Sequence, residues 1–174
     1  MYSLSPAMKI AVVDDDDLFR NILEKWLDYH LHSEVVTFSN GRSAWLHLQK
    51  PDSADLVISD IDMPVMDGIS LLDRAKQRFP QKLFLMISGD PYNARLSIDH
   101  GADGFMGKPF SVSRLVKTVQ ELAGSQENES AQQCACSVPA TSTRANRFPS
   151  SHLHDGDRIS IYRLDFHTGV LILR

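Results

Sequence analysis

Residues 56–68 read LVISDIDMPVMDG, and this stretch decides which fold the sequence predicts. Its first four residues, LVIS, are an apolar run of strand length, and the acidic Asp60 follows where that strand ends. Asp67 and Gly68 then mark a turn, after which apolar residues recur at helical spacing through Phe79. The stretch therefore predicts a buried strand, an acidic strand end and a turn into a helix.

The same alternation of strand and helix occurs five times before residue 124. Short apolar runs predict the strands, and apolar residues three or four positions apart predict the helices. Consecutive strand–helix units are typical of parallel strands joined by right-handed crossovers, with helices on both faces of the sheet. The sequence therefore predicts a doubly wound α/β fold, with strands in residues 8–13, 34–38, 56–59, 83–87 and 104–107 and helices in residues 18–29, 41–49, 68–79, 94–100 and 111–123.

Acidic residues follow two of these strands. Asp14 to Asp17 come directly after the first strand, and Asp60 comes after the third. Helix capping and first-turn acids explain Asp16 and Asp17, whereas Asp14 and Asp15 still lie at the strand end. Functional crevices in such sheets lie at the carboxyl ends of the strands, so three carboxylates gather there and need a cation or a proton. Hard oxygen ligands of this kind favour Mg²⁺.

Two further strand ends carry a hydroxyl group and a cation. Ser88 follows the fourth strand and could donate to a phosphoryl oxygen, although Ser88-Gly89 is also an ordinary turn dipeptide. Lys108 follows the fifth strand, and a lysine opposite three acids is a natural counter-charge for a phosphorylated carboxylate. The bond between Lys108 and Pro109 is a candidate for the cis form.

Composition and charge limit the class of protein. The chain has 174 residues and a net charge of −4, which disfavours nucleic-acid binding through bulk positive charge. Its apolar runs are too short for a membrane span, and residues 1–8 lack the pattern of a secretory signal. Cys134 and Cys136 form no disulfide framework, and with His152 and His154 they lack standard zinc-finger spacing, so a zinc site is disfavoured. These features predict a globular cytoplasmic protein.

The amino-acid composition of the sequence changes after residue 124. Residues 125–157 are rich in Ser, Gln, Ala and Thr and hold few apolar anchors, which predicts a flexible polar linker. Residues 158–174 place two largely apolar runs around a turn, which predicts a β-hairpin or the start of an output region. An isolated hairpin needs a partner surface, which could be the preceding domain, a second copy or a larger domain. The tail has no helix-turn-helix pattern, so DNA binding is not expected.

Four motifs, in this order and at this spacing, resemble the receiver domain of two-component response regulators: IAVVDDDD, LVISDIDMPVMDG, FLMISGD and HGADGFMGKPF. The resemblance covers residues 8–124, which are therefore expected to form the receiver domain. It implies a flavodoxin-like sheet of five parallel strands in the order 2-1-3-4-5.

The resemblance also implies roles for the acidic residues. Asp60 matches the phosphoacceptor aspartate of the family. Asp14 and Asp15 match the acidic pair that positions Mg²⁺, for which Asp60 and the backbone carbonyl of Asp62 are further ligands. The acidic side chain of Asp62 lies at a variable position that influences the dephosphorylation rate, so the phosphoryl lifetime stays open.

The remaining site residues are assigned in the same way. Ser88 matches the hydroxyl that binds the phosphoryl group, and Lys108 matches the lysine that pairs with it. The bond before Pro109 is usually cis in the family. Phe105 matches the aromatic switch position, although from the residues alone a plain core aromatic is an equal interpretation. Asp90 lies at a second variable position.

The implied function is signalling. Asp60 would accept a phosphoryl group from a sensor histidine kinase or a phosphotransfer protein. The added charge would draw in Ser88 and bias the face formed by the fourth helix, the fifth strand and the fifth helix. The partners of that face would be a downstream protein or a second copy of the chain. No enzyme activity beyond self-phosphorylation and self-dephosphorylation is expected.

Two other functions stay open at this point. The same site would serve a phosphate sink or relay receiver that has no dedicated output partner. Asp60-Ile61-Asp62 also matches the DxD nucleophile motif of haloacid-dehalogenase-type phosphatases. That family has Thr or Val two residues after the second Asp, where this chain has Pro64, and the lysine at the fifth strand end would be unexplained. The phosphatase is therefore disfavoured.

Overall fold

The computed structural model of the protein describes residues 8–133, 162–165 and 170–173, with side-chain detail over residues 8–124. The strands are β1 (Lys9–Val13), β2 (Glu34–Phe38), β3 (Leu56–Asp60), β4 (Leu83–Ser88), β5 (Gly104–Gly107), β6 (Tyr162–Asp165) and β7 (Val170–Leu173). The helices are α1 (Asp17–Leu31), α2 (Gly41–Leu48), α3 (Gly68–Arg78), α4 (Asn93–Asp99) and α5 (Val112–Gln133).

The first five strands form a parallel sheet in the order β2-β1-β3-β4-β5. This order confirms the predicted doubly wound α/β fold. The register places Val13 beside Ser59, Asp60 beside Ile87 and Ser88 beside Gly107. The carboxyl ends of β1, β3, β4 and β5 therefore meet at one edge of the sheet.

The core consists of two apolar clusters, one on each face of the sheet. Alternate strand residues point to opposite faces, so Ala11 and Val13 belong to one cluster and Ile10 and Val12 to the other. Helices α2 and α3 cover the first face through Ala44, Leu48, Leu71, Leu72 and Ala75. Helices α1 and α5 cover the second face through Leu23, Leu27, Leu115, Val119 and Leu122. Burial on both faces explains why the β3 and β4 sequences are almost continuously apolar.

Polar caps start the helices on either side of the site. Asp16 accepts hydrogen bonds from the backbone N–H groups of Leu18 and Phe19, and Asp17 is the acid of the first turn of α1. Asp67 accepts a bond from the N–H group of Ser70 at the start of α3. The predicted capping roles of Asp16 and Asp17 and the predicted turn at Asp67 are confirmed.

Helix α5 continues through Gln133 and so enters the segment that composition predicted to be a linker from residue 125 onward. Residues 125–133 read SQENESAQQ, which is poor in apolar residues but rich in Gln and Glu. These residue types have high helix propensity, so the backbone extends the helix although the segment has little apolar surface to bury. The rest of the predicted linker, with Cys134, Cys136, His152 and His154, lies outside the described residues.

The C-terminal strands extend the sheet. Strands β6 and β7 pair antiparallel, with Leu164 opposite Leu171, as the hairpin pattern in residues 158–174 predicts. Strand β7 also pairs antiparallel with β5, which places Leu171 opposite Phe105. The partner surface of the hairpin is therefore the edge of the same sheet. Across the described part of the chain, no helix combines the length and apolarity that crossing a membrane requires.

Candidate functional site

Four polar residues lie where strands of the sheet end at one edge. Asp14 follows β1, Asp60 is the last residue of β3, Ser88 is the last residue of β4, and Lys108 follows β5. The N–H group of Lys108 donates to the carbonyl oxygen of Ser88 at 2.8 Å, which joins the last two of these strand ends. The bond between Lys108 and Pro109 is cis.

Lys108 bridges the two buried acids of the site. Its Nζ atom lies 2.7 Å from Oδ1 of Asp60 and 2.9 Å from Oδ2 of Asp14. Asp14 is 2% exposed and Asp60 is 8% exposed, so both carboxylates are largely removed from water. One ammonium group thus compensates two negative charges, which leaves the site short of positive charge.

The second oxygen of each carboxylate accepts a backbone hydrogen bond. Oδ2 of Asp60 accepts from the N–H group of Asp62 at 3.0 Å, and Oδ1 of Asp14 accepts from the N–H group of Asp16 at 2.9 Å. These bonds fix the orientation of both carboxylates. The side chain of Asp62 is itself exposed.

The pKa values of Asp60 and Lys108 are both raised, but for different reasons. Burial raises the pKa of Asp60 above its ordinary value, and the bond to Lys108 only partly offsets this effect. Burial also tends to lower the pKa of Lys108, but the hydrogen bonds to Asp60 and Asp14 outweigh it, and the net pKa is raised. Lys108 is therefore held as a cation beside a carboxylate that binds a proton more readily than usual.

Asp15 does not join this cluster. Its side chain is exposed, and the buried acids are Asp14 and Asp60. Arg20 provides a second cation beside the acidic run, because it donates to the carbonyl oxygen of Asp14 at 2.6 Å and pairs with Asp17. The four consecutive aspartates therefore have different environments: one is buried, one is open to solvent and two serve the helix start.

The aromatic ring of Phe19 lies under Lys108, a contact that the sequence patterns do not predict. The Nζ atom of Lys108 is 4.4 Å from the centroid of the Phe19 ring, and Phe110 contacts that ring edge-on with centroids 5.9 Å apart. A cation over an aromatic face is attracted by the ring quadrupole, so Phe19 helps to hold the lysine in place. The one sequence feature that indicates this contact is the position of Phe19, an apolar residue one helical turn after the acidic strand end.

Ser88 and Phe105 are both buried. Ser88 is fully buried, and its hydroxyl oxygen accepts hydrogen bonds from the N–H group of Asp90 and the side-chain amide of Asn93. Phe105 is 4% exposed and packs into the apolar cluster beneath α2 and α3. Asn93 was not singled out in the sequence, since no motif draws attention to the first residue of a short helix.

Gly68 is part of a turn, and it also lets helix α3 begin close to the backbone of Asp60. A Cβ atom at this position would lie 2.1 Å from the carbonyl oxygen of Asp60, which is a severe overlap. The N–H group of Gly68 donates to the carbonyl oxygen of Ile61 at 2.9 Å. The start of α3 can therefore pack directly against the backbone of Asp60 because residue 68 has no side chain.

The donor chemistry of this edge fits Mg²⁺. This ion usually takes one or two protein carboxylates and keeps several waters, and Asp14 and Asp60 supply two such carboxylates. In the part of the chain with side-chain detail, no three acidic, histidine or cysteine side chains are grouped closely enough to form a metal site by themselves. Two protein carboxylates are within the number that this ion usually takes, and both also bind Lys108.

Comparison with known proteins relates the chain to one family. The family model for the response regulator receiver domain matches residues 10–120. A chemotaxis protein CheY homolog from Campylobacter jejuni is 27% identical over 128 residues, which are 71% of this chain and 98% of that protein. The transcriptional regulatory protein FlgR of Helicobacter pylori is 36% identical over 117 residues, which are 64% of this chain and 29% of that protein.

Solved structures give the same result. A CheY-like receiver domain protein from Methanospirillum hungatei has a TM-score of 0.67 and 25% identity, and the match covers 71% of this chain and 99% of that one. The chemotaxis response regulator CheY4 of Vibrio cholerae has a TM-score of 0.62 and 30% identity, covering 67% of this chain and 99% of that one. The family match over residues 10–120 contains Asp14, Asp60, Ser88 and Lys108.

Proposed function

We propose that Asp60 accepts a phosphoryl group in two-component signalling, because the chain belongs to the response regulator receiver domain family. The observation that carries this proposal is the Asp60 carboxylate, buried at the carboxyl edge of the sheet and bonded to Lys108 at 2.7 Å. The donor would be the phosphohistidine of a sensor histidine kinase or a phosphotransfer protein.

The transfer needs positioning and charge compensation more than covalent chemistry from the protein. A carboxylate oxygen of Asp60 forms a bond to phosphorus while the phosphorus–nitrogen bond of the donor breaks, and that electron pair leaves with the imidazole. Lys108 faces the negative charge on the phosphoryl oxygens, and the backbone N–H group of Asp62 holds the attacking carboxylate in orientation. Burial raises the pKa of Asp60, and the hydrogen bond from Lys108 opposes this effect, so Lys108 also helps to keep the attacking carboxylate ionised.

Mg²⁺ is the cofactor we propose. When bound, it would compensate the charge of the phosphoryl oxygens, and its protein ligands would be Asp14, Asp15, Asp60 and the backbone carbonyl of Asp62. The present geometry favours Asp14 and Asp60 as the main carboxylates, because Asp15 is exposed. Asp60 and Asp14 would then bind two cations, the metal and Lys108.

The output would follow from the charge that phosphorylation adds. A phosphoryl group carries about −1.5 to −2 charges at neutral pH and offers new hydrogen-bond acceptors next to Ser88. Ser88 ends β4 opposite Gly107, and Phe105 lies opposite Met86 in the same pair of strands, so we expect a shift at the site to reach the face formed by α4, β5 and α5. We expect that face, in which the edge of β5 is paired with β7, to bind a downstream protein or a second copy. The cytoplasmic location stays a prediction.

The direct test is the intact mass of the protein after incubation with acetyl phosphate and Mg²⁺. One phosphoryl group adds about 80 Da, and this gain is expected for the unsubstituted protein and for Asp28→Asn. It is expected to vanish in Asp60→Asn and in the presence of a metal chelator. Asp28→Asn is the matched control, since its carboxylate is exposed on α1 and is not part of the proposed site. A phosphoryl group on Asp60→Asn would refute the assignment.

The same preparation separates the alternatives. A partner that binds only the phosphorylated chain would support a dedicated signalling output, whereas a sink would show transfer and no such partner. Steady turnover of an added phosphomonoester would instead favour the phosphatase. We propose that the chain is not an enzyme in that sense, and we expect at most one phosphoryl group per chain.

A further inference from the structure

The ammonium group of Lys108 makes contacts of two kinds. Its Nζ atom lies 2.7 Å from Oδ1 of Asp60 and 2.9 Å from Oδ2 of Asp14. The same atom lies over the ring of Phe19, 4.4 Å from the ring centroid. The carboxylates attract the ammonium group through full negative charges, whereas the ring attracts it through the negative potential of its face. Phe19 therefore attracts Lys108 without adding to the deficit of positive charge in the site.

The ring of Phe19 is held by its own contacts. The N–H group of Phe19 donates to the cap residue Asp16 at 3.1 Å, which fixes the backbone at the start of α1. The ring meets Phe110 edge-on, with centroids 5.9 Å apart and an angle of 72° between the ring planes. Both rings are half-buried and pack against the apolar cluster beneath α1 and α5. The aromatic face is therefore presented to Lys108 from a constrained position.

The contact with the ring is one that a bound metal ion would not share. Asp14 and Asp60 hold Lys108 in the free protein, and the same two carboxylates are the main ligands proposed for Mg²⁺. A divalent cation on these carboxylates offsets part of their charge and repels the ammonium group. Mg²⁺ takes oxygen ligands and water, so the ring of Phe19 is not one of its ligands. The attraction of Phe19 for Lys108 therefore remains when that of the carboxylates falls.

We propose that Phe19 is a positioning residue for the phosphorylation of Asp60, because its aromatic face keeps the ammonium group of Lys108 at the site while the two buried acids bind the metal ion. The inference rests on the proposed function and adds to it a residue that acts through Lys108 rather than on the phosphoryl group. A lysine that is already in place need not be reorganised when negative charge develops on the phosphoryl oxygens.

The first test is the rate of phosphoryl transfer from acetyl phosphate to the full chain, measured by intact mass over a range of donor concentrations with Mg²⁺ present. Fluorinated phenylalanines at position 19 nearly keep the size of the ring, and each added fluorine weakens the negative potential of its face. We expect the maximal rate to fall with each fluorine, by about 2- to 10-fold over the series, with little change in the half-saturating donor concentration.

The same series at Phe79 is the matched control. Its ring lies 5.9 Å from the cations of Arg78 and Lys82, at the end of α3 that is remote from the site. Fluorination there weakens contacts of the same kind without affecting Lys108. The rate of transfer is therefore expected to stay unchanged.

A second readout, the unfolding of the metal-free protein, does not depend on transfer. Phe19→Leu keeps an apolar side chain but removes the aromatic face. Its effect is compared in the unsubstituted protein and in a Lys108→Met background, where the ring has no cation to attract. With Lys108 present, we expect an additional loss of about 2- to 5-fold in the folding equilibrium constant, the effect of one cation–π contact.

The outcomes distinguish this inference from the proposed function. A transfer rate that does not respond to fluorination of Phe19, or that falls equally for Phe79, would overturn the inference while leaving Asp60 as the acceptor. An equal loss of stability from Phe19→Leu in both backgrounds would overturn it as well. Failure of the unsubstituted protein to take up a phosphoryl group would overturn the proposed function, and this inference with it.

Discussion

The ammonium nitrogen of Lys108 lies 2.7 Å from Oδ1 of Asp60, within the range of a charge-assisted hydrogen bond. The same nitrogen is 2.9 Å from Asp14, so each acid receives only part of the compensation of one cation. Burial consequently raises the pKa of Asp60 in spite of this contact. The free site therefore has a deficit of positive charge that a bound metal ion would relieve.

Replacing Lys108 by methionine should destabilise the fold and slow transfer to Asp60. The substitution leaves two buried carboxylates without their shared cation, which is expected to cost about 1–3 kcal/mol, as for hydrogen bonds to charged groups. The free energy of unfolding at pH 7 measures this loss. Lys117→Met is the matched control, because its pair with Glu121 on α5 is exposed and should matter little. Equal stability of the two variants would contradict the bridging role.

Replacing Asp60 by asparagine should stabilise the metal-free protein at neutral pH. A raised pKa in the folded state means that folding disfavours the ionised carboxylate of Asp60. The stabilising effect of this group is therefore fully present below its unfolded pKa of 3.8, and it is lost as pH rises through the higher folded pKa. The advantage of Asp60→Asn should therefore shrink as pH falls toward 3.8. Urea unfolding in chelator-treated buffer across this range is the measurement. Ser59→Ala, at the neighbouring position, is the control, and its stability relative to the unsubstituted protein should not depend on pH.

The fold and the positions of the strand-end residues could be predicted from the sequence because both depend on periodic patterns. Apolar runs and helical stripes identify the five strand–helix units, and the carboxyl ends of parallel strands must meet at one edge. This reasoning places Asp14, Asp60, Ser88 and Lys108 together without any knowledge of distances.

The contacts within the site could not be predicted, because they depend on packing between residues far apart in the chain. The bond from Lys108 to Asp14 joins residues 94 positions apart. The position of Phe19 under Lys108 and the bond from Asn93 to Ser88 depend on how α1 and α4 pack on the sheet. The end of α5 differs from the prediction for another reason, because low apolar content predicts a linker there although Gln and Glu favour a helix.

Replacing Gly68 by alanine should destabilise the protein and disturb Asp60. The added Cβ atom would lie 2.1 Å from the Asp60 carbonyl oxygen, so the start of α3 or the end of β3 must move. Overpacking of this kind typically costs about 1–3 kcal/mol. Gly124→Ala in α5 is the matched control, because its Cβ meets nothing within 4 Å and alanine favours the helix. We expect the two substitutions to change the melting temperature in opposite directions, and a neutral Gly68→Ala would be inconsistent with this packing.

Replacing Asp67 by alanine should remove the cap of α3 and cost about 1 kcal/mol, the usual value of an N-cap residue. Burial tends to raise the pKa of Asp67, but hydrogen bonds from the backbone and hydroxyl of Ser70 outweigh it, and the net pKa is lowered. Its stabilising effect is therefore present above the unfolded pKa of 3.8 and is lost as pH falls through the lower folded value. Asp67→Asn should keep most of the cap without that acid sensitivity. An equal acid sensitivity in the Asn variant, measured by unfolding between neutral and acidic pH, would rule out this origin.

Pairing of the C-terminal hairpin with the sheet should protect the backbone of β5 from hydrogen exchange. Leu171 lies opposite Phe105 in the antiparallel register of β7 and β5, and Leu164 lies opposite Leu171 in β6. Proline has no N–H group and cannot take part in a strand ladder, so Leu171→Pro should release β7 from the edge. Amide exchange at Gly104 and Phe105 is then expected to accelerate, while exchange in the central strand β1 serves as the internal reference. If exchange at β5 is the same in both proteins, the hairpin does not cover this edge, and the contact available to a partner would include β5 itself.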